Sequence, residues 1–248
     1  MDLEEPRSEN RARCITMQSL IERPKPHVGE MIVYGLLILL LMTGTYWRDR
    51  VWNSELELWT DCVKKSPNKD RPHYNLADTF LNQGRYQEAI DEYKQALRIN
   101  PNYAKAHINL GNLFLNQGQY QMATDEYNEV LRVNPDYAVA HINLGNVFFR
   151  RGKFQEAILH LNEALRINPD SAEAHNNLGY AFLTQGRYQE AIDEYKEALR
   201  INPNYAKARY NLGNAYLIIE KRGLALQEYE ILKTMNPGLA DVLYQKIK

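Results

Sequence analysis

Two cysteines in 248 residues, Cys14 and Cys62, supply no disulfide framework, and their spacing suits no structural metal. An excess of charge of one sign is also missing. Thirty Lys and Arg stand against 31 Asp and Glu, for a formal net charge of -1, so the electrostatic footprint of a nucleic-acid-binding chain is absent. Phenylalanine and tryptophan are scarce, at 6 and 3, while tyrosine reaches 17. A tyrosine ring buries while its hydroxyl still needs a partner, so this balance suits many small, half-wet helix contacts better than one deep core. Long apolar runs are lacking except at Met31–Trp47. There is no serine–histidine–acid constellation and no phosphate-cradling glycine loop. No catalytic site, cofactor or metal is expected.

What the sequence does have is a period. Pro67, Pro101, Pro135, Pro169, Pro203 and Pro237 follow one another every 34 residues. The same interval links Leu76, Leu110, Leu144, Leu178 and Leu212, and links Ala77 to Gly111, Gly145, Gly179 and Gly213. It also links Ala89, Ala123, Ala157, Ala191 and Ala225, and the series Tyr93, Tyr127, Leu161, Tyr195 and Tyr229. The stretches 85–112 and 187–214 differ only at Gln95/Glu197, His107/Arg209 and Ile108/Tyr210. A period of this length marks a stacked-repeat architecture.

Each unit reads as two helices. Ala106, Leu110, Leu113 and Phe114 share one face over Ala104–Gln117, and Gly118 ends that helix as a C-cap glycine does. Ala123, Tyr127, Val130 and Leu131 share a face over Tyr120–Val133, and Asn134-Pro135 stops the second helix, because proline disfavours helical geometry in the residue before it. The small residues Gly111 and Ala123 let the two helices approach closely.

This helix–turn–helix with a closing proline resembles the tetratricopeptide repeat. The resemblance implies an all-α fold, a right-handed superhelix, with five repeats at 70–103, 104–137, 138–171, 172–205 and 206–239. There are departures. The fourth position holds His73, His107, His141 and His175, then Arg209, instead of an aromatic. The fifth repeat has Glu220 in place of the turn glycine and Arg222 in place of a tyrosine, and Gly223 is expected to shift that turn. A capping helix is expected at 240–248, with Leu239, Val242, Leu243 and Ile247 on one face.

Met31–Trp47 is an uncharged run of seventeen residues ending in Tyr46 and Trp47, with Arg48 and Arg50 directly after it. That is the short end for a spanning helix. A cleaved signal peptide fits less well, since thirty residues precede the run and no small-residue cleavage site follows it. The expectation is a disordered tail at 1–30 and a single transmembrane helix at 31–47, contacting the membrane through Met31–Trp47. Cys14 and Cys62 then lie on opposite sides and cannot pair. Arg7, Arg11, Arg13, Arg23 and Lys25 slightly outnumber Arg48, Arg50, Lys64 and Lys65, which places the tail in the cytoplasm and the repeats outside it.

Residues 48–69 are expected to form a half-repeat helix and linker, because the period extended backwards sets Trp52, Trp59, Cys62 and Pro67 at repeat positions. This junction is similar to that of protein O-mannosyltransferase-like membrane families with C-terminal tetratricopeptide repeats. The resemblance implies a second role for the chain, as a substrate-binding or regulatory portion of a membrane glycosyltransferase system.

The histidine row does not point to a metal. Equivalent atoms of neighbouring units should lie about 8–10 Å apart, whereas zinc holds its ligands within about 2.1 Å. They read as packing residues, and His160 and His27 carry no assignment. Glu88, Asp91 and Glu92, with Glu190, Asp193 and Glu194, read as a solvated face paired to lysine and arginine.

The functional signal lies in the asparagines. Asn75, Asn109, Asn143, Asn177 and Asn211 occupy the sixth position of all five repeats, and Asn112, Asn146 and Asn214 sit one turn later. An amide both donates and accepts, so it can pair with a peptide backbone whatever the side chains. A similar asparagine ladder lines the repeats of O-linked N-acetylglucosamine transferase, which implies a concave groove for an extended protein or peptide. The competing reading is that these amides bond between adjacent helices. The basic clamp for a peptide carboxylate is absent, since the fifth position is Tyr74, Ile108, Ile142, Asn176 and Tyr210 and the sixth is never basic. Tyr74, Tyr210, Arg150, Lys105 and Lys207 are the expected specificity residues along the groove.

Overall fold

A computed structural model of the chain describes residues 32–39 and 54–248. All thirteen elements in these residues are helices. Residues 32–39 form α1 and Glu55–Lys65 form α2. Five helix pairs follow. They are α3 (Asp70–Asn82) with α4 (Tyr86–Ile99), α5 (Ala104–Asn116) with α6 (Tyr120–Val133), α7 (Ala138–Arg150) with α8 (Phe154–Ile167), α9 (Ala172–Thr184) with α10 (Tyr188–Ile201), and α11 (Ala206–Ile218) with α12 (Arg222–Met235). Pro237–Ile247 forms α13. The chain divides into two compact units, Met1–Leu58 and Trp59–Lys248, and every helix pair lies in the second.

The pairs stack into a right-handed solenoid of two layers. Each helix packs on its partner within the pair, and the first helices of α5, α7, α9 and α11 also touch one another in succession, forming the inner layer. Small residues set the spacing within each pair. A Cβ on Gly111 would lie 2.5 Å from Tyr127 Cε1, and one on Gly179 would lie 2.8 Å from Tyr195 Cε1. A side chain at either glycine would push the ring away, so the glycine is what lets the tyrosine bury completely. Ala89, Ala123, Ala157 and Ala191 are likewise fully enclosed on the second helices.

The turns follow the same local logic. Gly84, Gly118, Gly152 and Gly186 adopt φ of 73–74°, where a Cβ is unfavourable. In the fifth repeat Glu220 itself takes φ 59°. The expected shift of this turn to Gly223 is therefore corrected: Gly223 lies inside α12, and the backbone keeps the turn in register at the cost of a strained glutamate.

The terminal cap is α13. Its Asn236 N-cap accepts from Leu239 N at 3.0 Å, Pro237 opens the first turn, and Ala240, Leu243 and Ile247 are buried. Val242, expected on that face, is 48% exposed, and Ala240 takes its place. Leu243 presses on Gly213, so the cap packs on both helices of the last pair.

The expected single-pass membrane placement, with the repeats outside the cytoplasm, is corrected. Of the apolar run, residues 32–39 are described, and they are helical. Among the described residues no helix is long and apolar enough to cross a membrane. Residue 31 and residues 40–47 of the run, the tail at 1–30 with Cys14 and His27, and the start of the expected half-repeat at 48–53 lie outside the described residues. In the described part of the half-repeat, α2 buries no residue, and Cys62 is a free thiol.

Candidate functional site

The inner layer joins neighbouring repeats through hydrogen bonds between asparagine side chains. Asn143 Nδ2 donates to Asn112 Oδ1 at 3.2 Å, and Asn177 Nδ2 donates to Asn146 Oδ1 at 3.1 Å. Each bond joins the sixth residue of one repeat to the ninth of the repeat before it. In the first repeat the ninth residue is Asp78, which accepts from Asn109 Nδ2 at 3.0 Å and also from the Tyr93 hydroxyl. Asn109 is also 3.1 Å from the Tyr74 hydroxyl, and burial followed by Asp78 raises the Tyr74 pKa to about 12.

The fourth repeat breaks the rule, since its ninth residue is Tyr180. Asn211 Nδ2 donates instead to Asn176 Oδ1 at 2.9 Å, and Asn176 passes a donor to Asn177 Oδ1 at 3.1 Å. At the C-terminal end Lys246 Nζ donates to Asn214 Oδ1 at 3.0 Å. The Asn75 side chain makes no hydrogen bond among the described residues, so the series begins with Asn109 on Asp78.

These contacts use one half of most of the amides. The Asn112 and Asn146 oxygens accept within the chain, while their Nδ2 groups have no hydrogen-bond partner among the described residues. Asn112, Asn143, Asn146 and Asn177 line one groove of about 640 Å³, which runs across α5, α7, α9 and α11. Arg150, Glu173 and Lys207 stand around it, and Leu115, Phe149 and Tyr180 supply apolar surface. Asn109, Asn211 and Asn214 take part in the same rungs but, like Asn75, do not line this groove. Of the expected specificity residues, Arg150 and Lys207 line it, whereas Tyr74, Tyr210 and Lys105 do not.

The fourth-position histidines clamp neighbouring helices. His73, His107 and His175 each place Nδ1 2.6 Å from Oε2 of Glu92, Glu126 and Glu194, and Nε2 2.9–3.1 Å from the carbonyl of Pro67, Pro101 and Pro169. Burial lowers the pKa of His107 and His175, but the facing carboxylate and the proline carbonyl outweigh it, so both are raised. Arg209 makes the same two contacts in the fifth repeat, with Glu228 at 2.8 Å and Pro203 O at 3.1 Å. Glu92 and Glu194 therefore face histidine and not lysine or arginine, whereas Glu88 and Glu190 do pair with Arg85 and Arg187 as expected.

His160 is not isolated. It replaces the carboxylate in the third repeat and lies 3.1 Å from His141, Nδ1 to Nδ1, with its ring stacked on Phe148 at 5.2 Å. Burial and then His141 lower its pKa. Among the described residues no group of three His, Cys, Asp or Glu side chains converges as a metal site would.

Comparison with known proteins names the architecture. Models described as tetratricopeptide repeat match residues 108–172 and 142–206, and again 194–229, and one described as TPR repeat matches 77–118. The repeats are tetratricopeptide repeats. The chain is 36% identical over 69 residues to protein O-mannosyl-transferase TMTC1 of Homo sapiens, covering 27% of this chain and 8% of that protein. It is 34% identical over 86 residues to protein O-mannosyl-transferase F38B6.6 of Caenorhabditis elegans, covering 34% of this chain and 12% of that protein. The chain thus spans about a tenth of the curated relatives it matches.

Solved structures share the fold. PilF of Pseudomonas aeruginosa matches with a TM-score of 0.66 at 21% identity, over 84% of this chain and 95% of that one. YrrB, a TPR protein with an unusual peptide-binding site, matches with a TM-score of 0.56 at 23% identity, over 77% and 99%. At these identities the likeness speaks for the solenoid alone.

Proposed function

We propose that this tetratricopeptide-repeat chain is a protein-interaction scaffold that holds an extended polypeptide segment in its concave groove. The observation that carries this reading is the half-used amide ladder. In-chain bonds hold the Asn112, Asn143, Asn146 and Asn177 side chains in place, and the Nδ2 donors of Asn112 and Asn146 and the Oδ1 acceptor of Asn143 remain to face the groove. Fixed donors and acceptors of this kind pair with peptide bonds at little ordering cost and without regard to sequence. Each contributes about 0.5–1.5 kcal/mol net, so the reading implies binding that is tolerant of sequence and built up by length. The peptide-binding site of YrrB, on a similar solenoid, supports it by analogy.

The test is a peptide selected from a random library on the full chain, followed by its affinity for a variant with Asn→Ala at 112, 143, 146 and 177. An unchanged circular dichroism spectrum must accompany the variant. A loss of about tenfold or more in Kd is expected, equal to about 1.4 kcal/mol. Unchanged affinity in a folded variant would sink the groove reading.

A second reading is favoured by the similarity to O-mannosyl-transferases. Here the repeats hold polypeptide for a glycosyltransferase of that kind. Capture of the full chain with such a transferase, and loss of that complex in the asparagine variant, are the outcomes that support it.

A further inference from the structure

The third and fourth repeats each depart from the period, and both departures border the same groove. The twenty-fourth residue of the second repeat is Tyr127, whose hydroxyl donates to Asn112 Oδ1 at 2.7 Å. The third repeat keeps the matching asparagine, Asn146, and the matching glycine, Gly145, but has Leu161 where the ring should be. Leucine is shorter than tyrosine and carries no donor. Gly145, Leu161 and Asn146 all line the groove, and Asn146 Oδ1 accepts from Asn177 alone.

In the fourth repeat the ninth residue is Tyr180, 44% exposed, in place of an asparagine. Its ring stands 4.9 Å from that of Phe149, and both line the groove. The same change leaves the buried Tyr195 hydroxyl without a hydrogen-bond partner. The groove therefore holds one stretch with two aromatic walls above the buried Leu161 and an oxygen with an open acceptor site. Arg150, Lys207 and Glu173 surround it, two cations against one anion, and none of the three forms an ion pair among the described residues.

We infer that this stretch is a side-chain pocket for a tyrosine of the bound segment, with an acidic residue beside it. The inference rests on the groove reading and adds to it a selectivity that the ladder alone does not have. The phenol ring lies against Phe149 and Tyr180, above the buried Leu161, where aromatic surface favours it. Its hydroxyl donates to Asn146 Oδ1, as Tyr127 donates to Asn112 in the neighbouring repeat. The neighbouring carboxylate meets the field of Arg150 and Lys207. Two substitutions inside an otherwise uniform array thus give a sequence-tolerant groove one point of register.

Panning a random dodecapeptide library against the full chain, with Leu161→Tyr panned in parallel, tests this. The variant restores the residue found in the second and fourth repeats and fills the pocket with its own ring, opposite a glycine already in place. Wild type is expected to enrich peptides with a tyrosine next to Asp or Glu. Those peptides should bind Leu161→Tyr at least tenfold more weakly, while the asparagine ladder and the helical spectrum are unaffected. A second arm needs no protein variant: Tyr→Phe in a selected peptide should weaken it severalfold, and Tyr→Ala further. Enriched peptides without a tyrosine, or equal affinity for both proteins, would overturn the pocket and leave the groove standing. No enrichment by wild type would remove the groove and the pocket together.

Discussion

At the scale of single residues, the places where one repeat departs from the rest are the most informative. Glu220 holds a left-handed backbone that four glycines hold elsewhere. Glu220→Gly is therefore expected to stabilise the fifth repeat by about 1 kcal/mol, measured as a higher urea midpoint at unchanged slope. His160 is the second departure. A histidine whose pKa is lowered on folding has no effect on stability above its unfolded value of about 6.5, and it destabilises as pH falls from there through the lowered value. Glu163, beside it, works in the opposite sense but is outweighed by burial and by His141. His107 and His175 behave oppositely: their pKa values are raised, so the stability they add is fully present below about pH 6.5 and is lost as pH rises through the raised values. His160→Glu restores the carboxylate that Glu92, Glu126, Glu194 and Glu228 supply elsewhere. Relative to wild type the variant should gain stability as pH falls from 8 to 5, read from urea midpoints at the two pH values. An equal difference at both pH values would contradict the lowered pKa of His160. The role of His160 could not be read from its neighbours in sequence, since its partner lies nineteen residues away. Aligning it with Glu126 and Glu194 would have exposed it.

At the scale of helices, the pairing rests on glycine against tyrosine. Gly111→Ala would drive a methyl group into the Tyr127 ring, with an expected cost of about 1–3 kcal/mol from overpacking, read from chemical denaturation. The two helices per repeat, the turn glycines of the first four and the closing prolines were all visible in the sequence, because each depends on local backbone chemistry that the period repeats. The use made of the amides was not visible. Periodicity set the asparagines on one helical face, but which atoms donate to which repeat depends on the stacking rise between units, and that is a property of the assembled layers. The Leu161 gap was in plain sight as a break in a tyrosine series, yet its meaning required knowing that Tyr127 reaches Asn112. The apolar run misled for a related reason. Seventeen uncharged residues satisfy a composition rule, whereas a span also needs a continuous apolar helix, and among the described residues no helix is long and apolar enough to cross a membrane.

At the scale of the whole solenoid, each repeat is held only by its neighbours, so stability should be highest in the middle and fall towards the ends. The helix α2 buries no residue, while α5 buries eight. Amide exchange followed by mass spectrometry is expected to show the slowest exchange in α5 to α10 and fast exchange in α2. Uniform protection from Glu55 onward would contradict this. The groove lies in that stable centre, across the second to fifth repeats, where a bound segment meets a surface that needs little reordering. The most direct test of the central claim is site-specific photo-crosslinking to a selected peptide. A photoactivatable residue replaces Asn116, which lines the groove, or in a separate protein Gln155, an exposed residue of α8. Crosslinks from position 116 and none from position 155 are the predicted result. Crosslinks from position 155 alone would place the bound segment on the outer helices and contradict the concave groove.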